Sequence, residues 1–379
     1  MNENMIYLDN ASTTRPSEAA VQAMLKAAQC FGNPSSLHGL GLEAEKLVEE
    51  SRKAIADKLG VESKNILFTS GGTEANNTAI FGVANARHKI GKKLVTSTIE
   101  HPSVLEAFRH LESEGFTVEY IDADRDGLLD LDMLYDFLDE ETTLVSIMHV
   151  NNETGVIQPM EKIREIITEK APYAHFHTDC VQSFGKIEVN PKRLGADMVT
   201  VSSHKIHGFK GTGALYVSDA RMLRPILFGG EQQGELRPGT ENVAGILAFA
   251  AAAREAISDN SKIISLRSKM RERLLRIPDT IINGSDAHNS GSVLNVSFLG
   301  IKAEILLHAL EAKGVYVSTG SACSSHRPQP SHVLTAMGLD KKAIEGAIRI
   351  SFDYTTTEEE VMRAAEIIEE EVASVRRYM

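Results

Sequence analysis

The chain has 379 residues, with 40 lysines and arginines against 52 aspartates and glutamates for a formal charge of −12; 42% of residues are hydrophobic and none is tryptophan. At about 150 residues per domain this is enough for two domains of unequal size, with the composition of a globular protein rather than a disordered or fibrous one. The acidic balance and the 6% aromatic content argue against nucleic acid and anionic lipid as general partners, and no run of about 18 apolar residues is present to cross a membrane.

From residue 66 onward short β-branched runs alternate with longer amphipathic ones, the pattern of an α/β fold in which a mainly parallel sheet is flanked by helices. Strands are expected at 66–69, 94–97, 117–121, 144–149, 175–178, 198–202 and 214–217. Helices are expected between them at 74–88, 102–114 and 160–170. Runs such as LVSIMHV at 144–150 suit a sheet covered on both faces. A Gly- and Pro-bearing stretch, FGGEQQGELRPGT at 228–240, reads as a linker. Beyond it come a helix at 241–257, another ending near residue 276, a strand at 293–298, a helix at 302–313, a strand at 347–352 and a terminal helix from 357. This order describes a smaller α+β unit, and the helices before residue 60 fit against either unit.

Four strand ends carry residues with chemical potential. Phe68-Thr69-Ser70-Gly71-Gly72-Thr73-Glu74 runs from a strand through two glycines into a helix, where backbone N–H groups and the helix dipole favour a phosphate. The run has neither the Walker lysine nor GxGxxG spacing, so a nucleotide is not indicated. Val201-Ser202-Ser203-His204-Lys205 places an amine where open α/β sheets bind ligands, a position at which burial yields a Schiff-base lysine. In His175-Phe176-His177-Thr178-Asp179 a strand ends in a carboxylate able to pair with a protonated ring nitrogen. In Glu100-His101-Pro102 an imidazole precedes a helix, placed to stack on a planar group and move protons. Each has a plain structural alternative: turn geometry, a solvated lysine, an N-cap, a polar loop residue.

Cys30, Cys180 and Cys323 are widely separated and form no CxxC pair, which excludes a disulfide framework and a structural zinc site and fits a reducing cytoplasm. Cys30 and Cys180 fall in helical or strand contexts and read as packing residues. Cys323 stands in a run rich in Ser, Gly and Pro beside His326 and Arg327. An exposed loop is expected there, with the thiol held as a nucleophilic thiolate.

Together with YLDNASTT at Tyr7, FGNPSSLHGLG at Phe31, HVNNETGVIQP at His149, RPGTEN at Arg237, PSHVLTAMG at Pro330 and IRIS at Ile348, these stretches resemble the NifS/IscS-type cysteine desulfurases. Those enzymes are fold-type-I pyridoxal phosphate enzymes of the class V aminotransferase superfamily. The resemblance spans nearly the whole chain. It implies a large cofactor-binding domain at 17–255 with a seven-stranded sheet, and a small α+β domain at 1–16 and 256–379 that carries the Cys323 loop.

The resemblance also implies roles. Lys205 would carry pyridoxal 5'-phosphate as a Schiff base, Asp179 pair with the ring nitrogen, and His101 stack on the ring and transfer protons, while Asn152 and Gln182 address its phenolic oxygen. Gly72, Thr73, Ser202 and His204 would hold the phosphate, with Thr240 reaching in from the other subunit of a homodimer. Asn10, Asn152 and Arg349 would bind the substrate carboxylate. L-Cysteine would become L-alanine and leave its sulfur as a persulfide on Cys323. A sulfur-acceptor protein would receive it, whether an iron–sulfur scaffold, a tRNA thiolation enzyme or another. No metal ligand set is indicated. Selenocysteine lyase or class V aminotransferase activity is the alternative reading. Cys180 stands where Ala or Val is usual in the family, and seven positions from Cys323 to Pro330 fit the family's longer-loop group.

Overall fold

A computed structural model of the chain describes residues 5–320 and 330–378. Its strands are β1 Ile6–Tyr7, β2 Ile66–Thr69, β3 Lys93–Ser97, β4 Thr117–Ile121, β5 Thr142–Ser146, β6 His175–Asp179, β7 Met198–Ser202, β8 Gly213–Val217, β9 Thr280–Asn283, β10 Val293–Phe298, β11 Val315–Tyr316, β12 Ser318–Thr319 and β13 Ala347–Ser351.

Seven of these form one sheet in the order β2-β8-β7-β6-β5-β3-β4. The pairs from β7 to β4 are parallel, whereas β8 runs antiparallel to both neighbours. Residues 203–212 are too few for a helical crossover, which takes a dozen or more, so the chain can only turn back on itself there. Alternate residues feed two cores. Phe68, Val95, Val145 and Val199 lie on one side of the sheet, and Leu67, Leu94, Leu144 and Met198 on the other, under the helices Gly72–Arg87 and Pro102–Ser113. Burial on both faces explains why these strands read as continuous apolar runs.

The run expected at 144–149 leaves the sheet ladder at Ser146. Its next residues still donate N–H groups to the β6 edge, Ile147 to the His177 carbonyl and His149 to that of Asp179. That is why they carry a strand-like sequence while turning toward the cavity described below.

A second sheet, β12-β13-β10-β9, is antiparallel throughout. It packs with the helices Ser261–Leu274, Ala303–Ala312 and Glu358–Tyr378 around a separate core that also includes Ile6 and Leu8. The N-terminal segment joins this unit through β1, which pairs in parallel with β11. The linker reading of 228–240 is corrected here. The helix that follows, Val243–Glu255, places Ile246, Ala248, Phe249, Ala252 and Ala253 in the core of the large sheet. Helices Glu18–Gln29 and Gly39–Leu59 pack against it. The Ala-rich sequence permits this close packing, and the glycines before it serve local turns.

Candidate active site

The carboxyl ends of β6 and β7 and the segments following β3 and β5 converge on a cavity of about 290 Å³. It is lined by Ala11, Ser12, Gly72, Thr73, Asn76, His101, Ser103, Met148, Val150, Asn152, Asp179, Val181, Gln182, Ser202, His204, Lys205, Gly320 and Arg349. This is where open α/β sheets bind ligands. A larger cleft of about 1000 Å³ lies between 34–67 and 217–241. It collects no comparable set of reactive groups, so chemistry rather than size selects the smaller cavity.

Lys205 closes a short turn, Ser203–Lys205, directly after β7. Its ammonium donates to the carbonyls of Ala11 at 2.6 Å and Ser12 at 2.7 Å, which brings an amine into the cavity beside the N-terminal segment. Asp179 ends β6. Its Oδ2 accepts from Asn76 Nδ2 at 2.8 Å and its Oδ1 from the Val181 N–H at 2.9 Å, so the carboxylate is fixed from two sides. His101 caps the helix Pro102–Ser113, with Nδ1 accepting the Ser103 N–H at 3.1 Å. That bond leaves the neutral ring's proton on Nε2. Burial lowers the basicity of His101 and Lys205 adds to this, while Asp179 opposes both; the ring is neutral at neutral pH.

At the other end of the cavity the helix Gly72–Arg87 presents its first turn, where backbone N–H groups have no intrahelical partner. A Cβ at Gly72 would come within 2.9 Å of Val181 Cγ2, so glycine keeps the backbone open to an anion there. Ser202 Oγ faces the same region, fully buried and, among the described residues, without a hydrogen-bond partner. A buried hydroxyl left unpaired costs about 1–3 kcal/mol, and an oxyanion at this end would satisfy it. His204 Nδ1 lies 3.2 Å from Thr13 Oγ1. Burial, reinforced by Lys205, Lys210 and Lys186, pushes His204 down to about 4. The donor set fits a phosphate at one end, a planar ring between His101 and Asp179, and an aldehyde carbon at Lys205, the three recognition elements of pyridoxal phosphate.

Arg349, on β13, is 3% exposed. It donates to the Asn152 carbonyl at 3.0 Å, to Ser12 Oγ at 2.6 Å and to Asp9 Oδ1 at 3.1 Å. Its Nε and Asn152 Oδ1 are buried without partners among the described residues, so the guanidinium offers a further donor. Gln182 lines the cavity and donates from Nε2 to the Ala11 carbonyl at 2.9 Å. Asn10 is placed differently. Its amide donates to the carbonyls of Tyr7 and Ser351, and it stands beside the cavity rather than in its lining. Thr240 is exposed on this chain and does not line the cavity. Cys323, His326 and Arg327 lie outside the described residues. Gly320, which lines the cavity, and Ser331 stand close before and after them and meet at Glu153, whose Oε2 accepts from Ser331 Oγ. Cys180 is fully buried, and burial pushes its thiol up to about 12; it is a packing residue. Cys30 caps the helix Glu18–Gln29.

Several participants carry no signal of their own in the sequence. Asn76, which holds Asp179, sits on the buried side of a helix whose Asn-Asn pair gives the one available hint. Glu100 is fully buried, accepts from Ser97 Oγ at 2.7 Å and the Met148 N–H at 2.8 Å, and is pushed up to about 8, chiefly by burial. His332 Nε2 lies 2.8 Å from the Glu100 carbonyl, so the helix it opens, whose Val333 and Leu334 pack into the large sheet's core, is also tied to the His101 segment. Burial also pushes Glu153 up to about 7. Among the described residues no group of three or more His, Cys, Asp or Glu is placed to hold a metal, and no helix is long and apolar enough to cross a membrane.

Comparison with known proteins agrees with this geometry. The aminotransferase class-V family pattern matches residues 6–363. A protein of Methanosarcina thermophila described as cysteine desulfurase IscS is 42% identical, over 98% of this chain and 93% of its own. A solved structure described as a NifS-like protein superposes with a TM-score of 0.92 at 38% identity, covering 98% of this chain and all of the other. Another, described as SspA in complex with cysteine, gives a TM-score of 0.81 at 34% identity over 91% of this chain and 98% of the other. The chain belongs to the aminotransferase class-V family, among its NifS/IscS-type cysteine desulfurases.

Proposed function

We propose that the protein is a pyridoxal phosphate-dependent cysteine desulfurase that converts L-cysteine to L-alanine and passes the sulfur, through Cys323, to an acceptor protein. The observation that carries this reading is the convergence of Lys205, Asp179, His101 and the buried Arg349 guanidinium in one cavity.

Lys205, Asp179, His101, Gln182 and Asn152 would hold the cofactor's aldehyde and ring, and Gly72, Thr73, Ser202 and His204 its phosphate. When bound, pyridoxal phosphate supplies an electron sink for the bond broken at the substrate's α-carbon. Asp179, kept as an oriented carboxylate by Asn76 and Val181, holds a proton at the ring nitrogen. Arg349 binds the carboxylate of cysteine with its planar fork, alongside Asn152 and with Asn10 positioning the adjacent backbone. Lys205 moves the α-proton, and His101, neutral with its proton on Nε2, serves transfers on the opposite face. Cys323 as thiolate takes the sulfur. Its S–S bond forms as the substrate's C–S bond breaks, the carbon keeps the electron pair and gains a proton, and the products are alanine and a persulfide. No external oxidant is required.

The separate core built from Ile6, Leu8 and residues beyond 260 supports a small domain at 1–16 with 256–379 beside a large one at 17–255, with Val333, Leu334 and Met337 of the small domain's segment packed into the large sheet's core. A homodimer is supported by the exposure of Phe31, Leu37 and Phe228, on neighbouring segments joined by Gln232 and Ser35; exposed Thr240 would complete a partner's phosphate site. The sparse cysteines fit the cytoplasm. The test is incubation with L-cysteine followed by mass analysis of the peptide carrying Cys323. Added sulfur of about 32 Da, with alanine in solution, is expected. Conversion of the cofactor to its amine form without sulfur on Cys323 would instead indicate transamination.

A further inference from the structure

A second lysine lies under the cavity, and the proposed reaction does not use it. Lys186 is 5% exposed and stands one helical turn's spacing beyond Gln182, donating to Gln182 Oε1 at 3.2 Å. Among the described residues this is its one side-chain hydrogen bond, and it has no ion-pair partner. Gln182 Nε2 in turn donates to the Ala11 carbonyl, the oxygen that also accepts from Lys205. The two lysines are therefore linked through one side-chain amide and one carbonyl.

A primary amide can present either end, and the two ends have opposite hydrogen-bonding character. An ammonium has donors only, so it forces Oε1 to its own side and turns Nε2 to the other. Nε2 carries two hydrogens, of which Ala11 takes one. Burial pushes the Lys186 ammonium down to about 8, with Asp353 opposing and Arg349 adding to this, so it remains charged at neutral pH. The groups that feel it are Asp353, Arg349 on β13 and His204, whose ring it helps to keep neutral. A buried cation with a single hydrogen bond is costly to fold around, and nothing structural is bridged by this one.

We propose that Lys186 is a positioning residue for the cofactor: it fixes the Gln182 amide with its N–H groups toward the cavity, where they hold the phenolic oxygen of the ring in its anionic form. This rests on the pyridoxal phosphate reading above. Without Lys186 the amide is free to flip and a nearby positive charge is lost. Both changes concentrate negative charge on the ring oxygen beside the Schiff-base nitrogen, which then holds its proton more tightly.

The experiment is a pH titration of the visible absorbance of the purified holoenzyme, compared among wild type, Lys186→Met and Lys186→Arg. The midpoint is expected to rise by about one unit in Lys186→Met and to stay at the wild-type value in Lys186→Arg. The shift should be smaller when Lys186→Met is added to Gln182→Leu, because the amide through which it acts is then absent. An unmoved midpoint, or an equal shift in both backgrounds, overturns the proposal. Should Lys186→Met lower the unfolding temperature of the cofactor-free protein enough to prevent loading, Lys186→Gln, whose amide can present either end and so neither forces the Gln182 orientation nor carries the charge, is read by the same two outcomes. A wild-type protein with no visible band after addition of pyridoxal phosphate defeats the functional reading itself, whereas a band with an unmoved midpoint in Lys186→Met defeats the role of Lys186 alone.

Discussion

Replacing Ser202 by alanine separates the phosphate reading from ordinary packing because the two states of the protein should respond in opposite directions. Ser202 Oγ is buried with no partner among the described residues, and its Cβ lies 3.9 Å from where a Cβ at Gly72 would stand, beside the N-terminal turn of the helix. In the cofactor-free protein the hydroxyl is a net cost of about 1–3 kcal/mol. Alanine removes that cost and opens almost no volume, so the apoprotein should unfold at the same temperature or higher. With cofactor bound the hydroxyl donates to a charged oxygen, a bond worth about 1.5–3 kcal/mol, or a 10- to 150-fold factor at about 1.4 kcal/mol per tenfold. Fluorescence titration of apoprotein with pyridoxal phosphate measures the affinity, and thermal unfolding without cofactor measures the stability. An unchanged affinity, or a loss of apoprotein stability matching the loss of affinity, would refute the assignment of this hydroxyl to the phosphate.

Arg349→Lys keeps the charge against Asp9 but loses the planar fork, so KM for L-cysteine should rise by about 10- to 100-fold with a smaller change in kcat; initial rates of alanine formation measure both, and an unaltered KM would remove Arg349 from substrate binding. Glu100 is raised from 4.5 to about 8 by burial, so the stability it contributes is fully present below its unfolded value and is lost as pH rises through 8. Glu100→Gln should therefore flatten the decline in unfolding temperature between about pH 5 and pH 8.5; parallel curves for the two proteins would count against a protonated Glu100. Cys180, held as a thiol in the core, should escape iodoacetamide at pH 8 in the native protein, and Cys180→Ala should retain persulfide formation on Cys323. Alkylation of Cys180 on the timescale of an exposed thiol would contradict its burial.

The site was legible where its residues stand at strand ends, because the chemistry there is local. A glycine pair entering a helix, a carboxylate closing β6 and a lysine just past β7 each sit within a few positions of a strongly apolar run. What could not be read from order along the chain is what closes the site across it. Asn76 holds Asp179 over 103 positions, and His332 reaches the Glu100 carbonyl over 232. Asn76 is one of two adjacent asparagines in its helix and His332 opens a short one, and neither residue type marks a partner so far along the chain. The antiparallel direction of β8 follows from the length of one connection rather than from any pattern within the strand. The stretch at 228–240 misled for a related reason: glycine and proline report local turns, whereas unit membership is decided by the small apolar face of the helix that follows.

The N-terminal segment explains how two separately packed units make one site. Its residues belong to the second unit by pairing: Asp9 bridges to Ser351, the Ala11 N–H donates to Ser351 Oγ, and Asn10 donates to the Ser351 carbonyl. The same few residues grip the large unit, since the Ala11 and Ser12 carbonyls accept from Lys205 and Thr14 donates twice to the His204 carbonyl. Arg349, one unit's cation, and Lys205, the other's, are thus spaced by the six-residue strap 9–14, whose backbone is bonded on both sides. The distance between the group that would hold the substrate's carboxylate and the amine that would hold the cofactor is set by this strap rather than by a direct contact. Asn10, absent from the cavity lining, holds the strap to β13, the strand that carries Arg349.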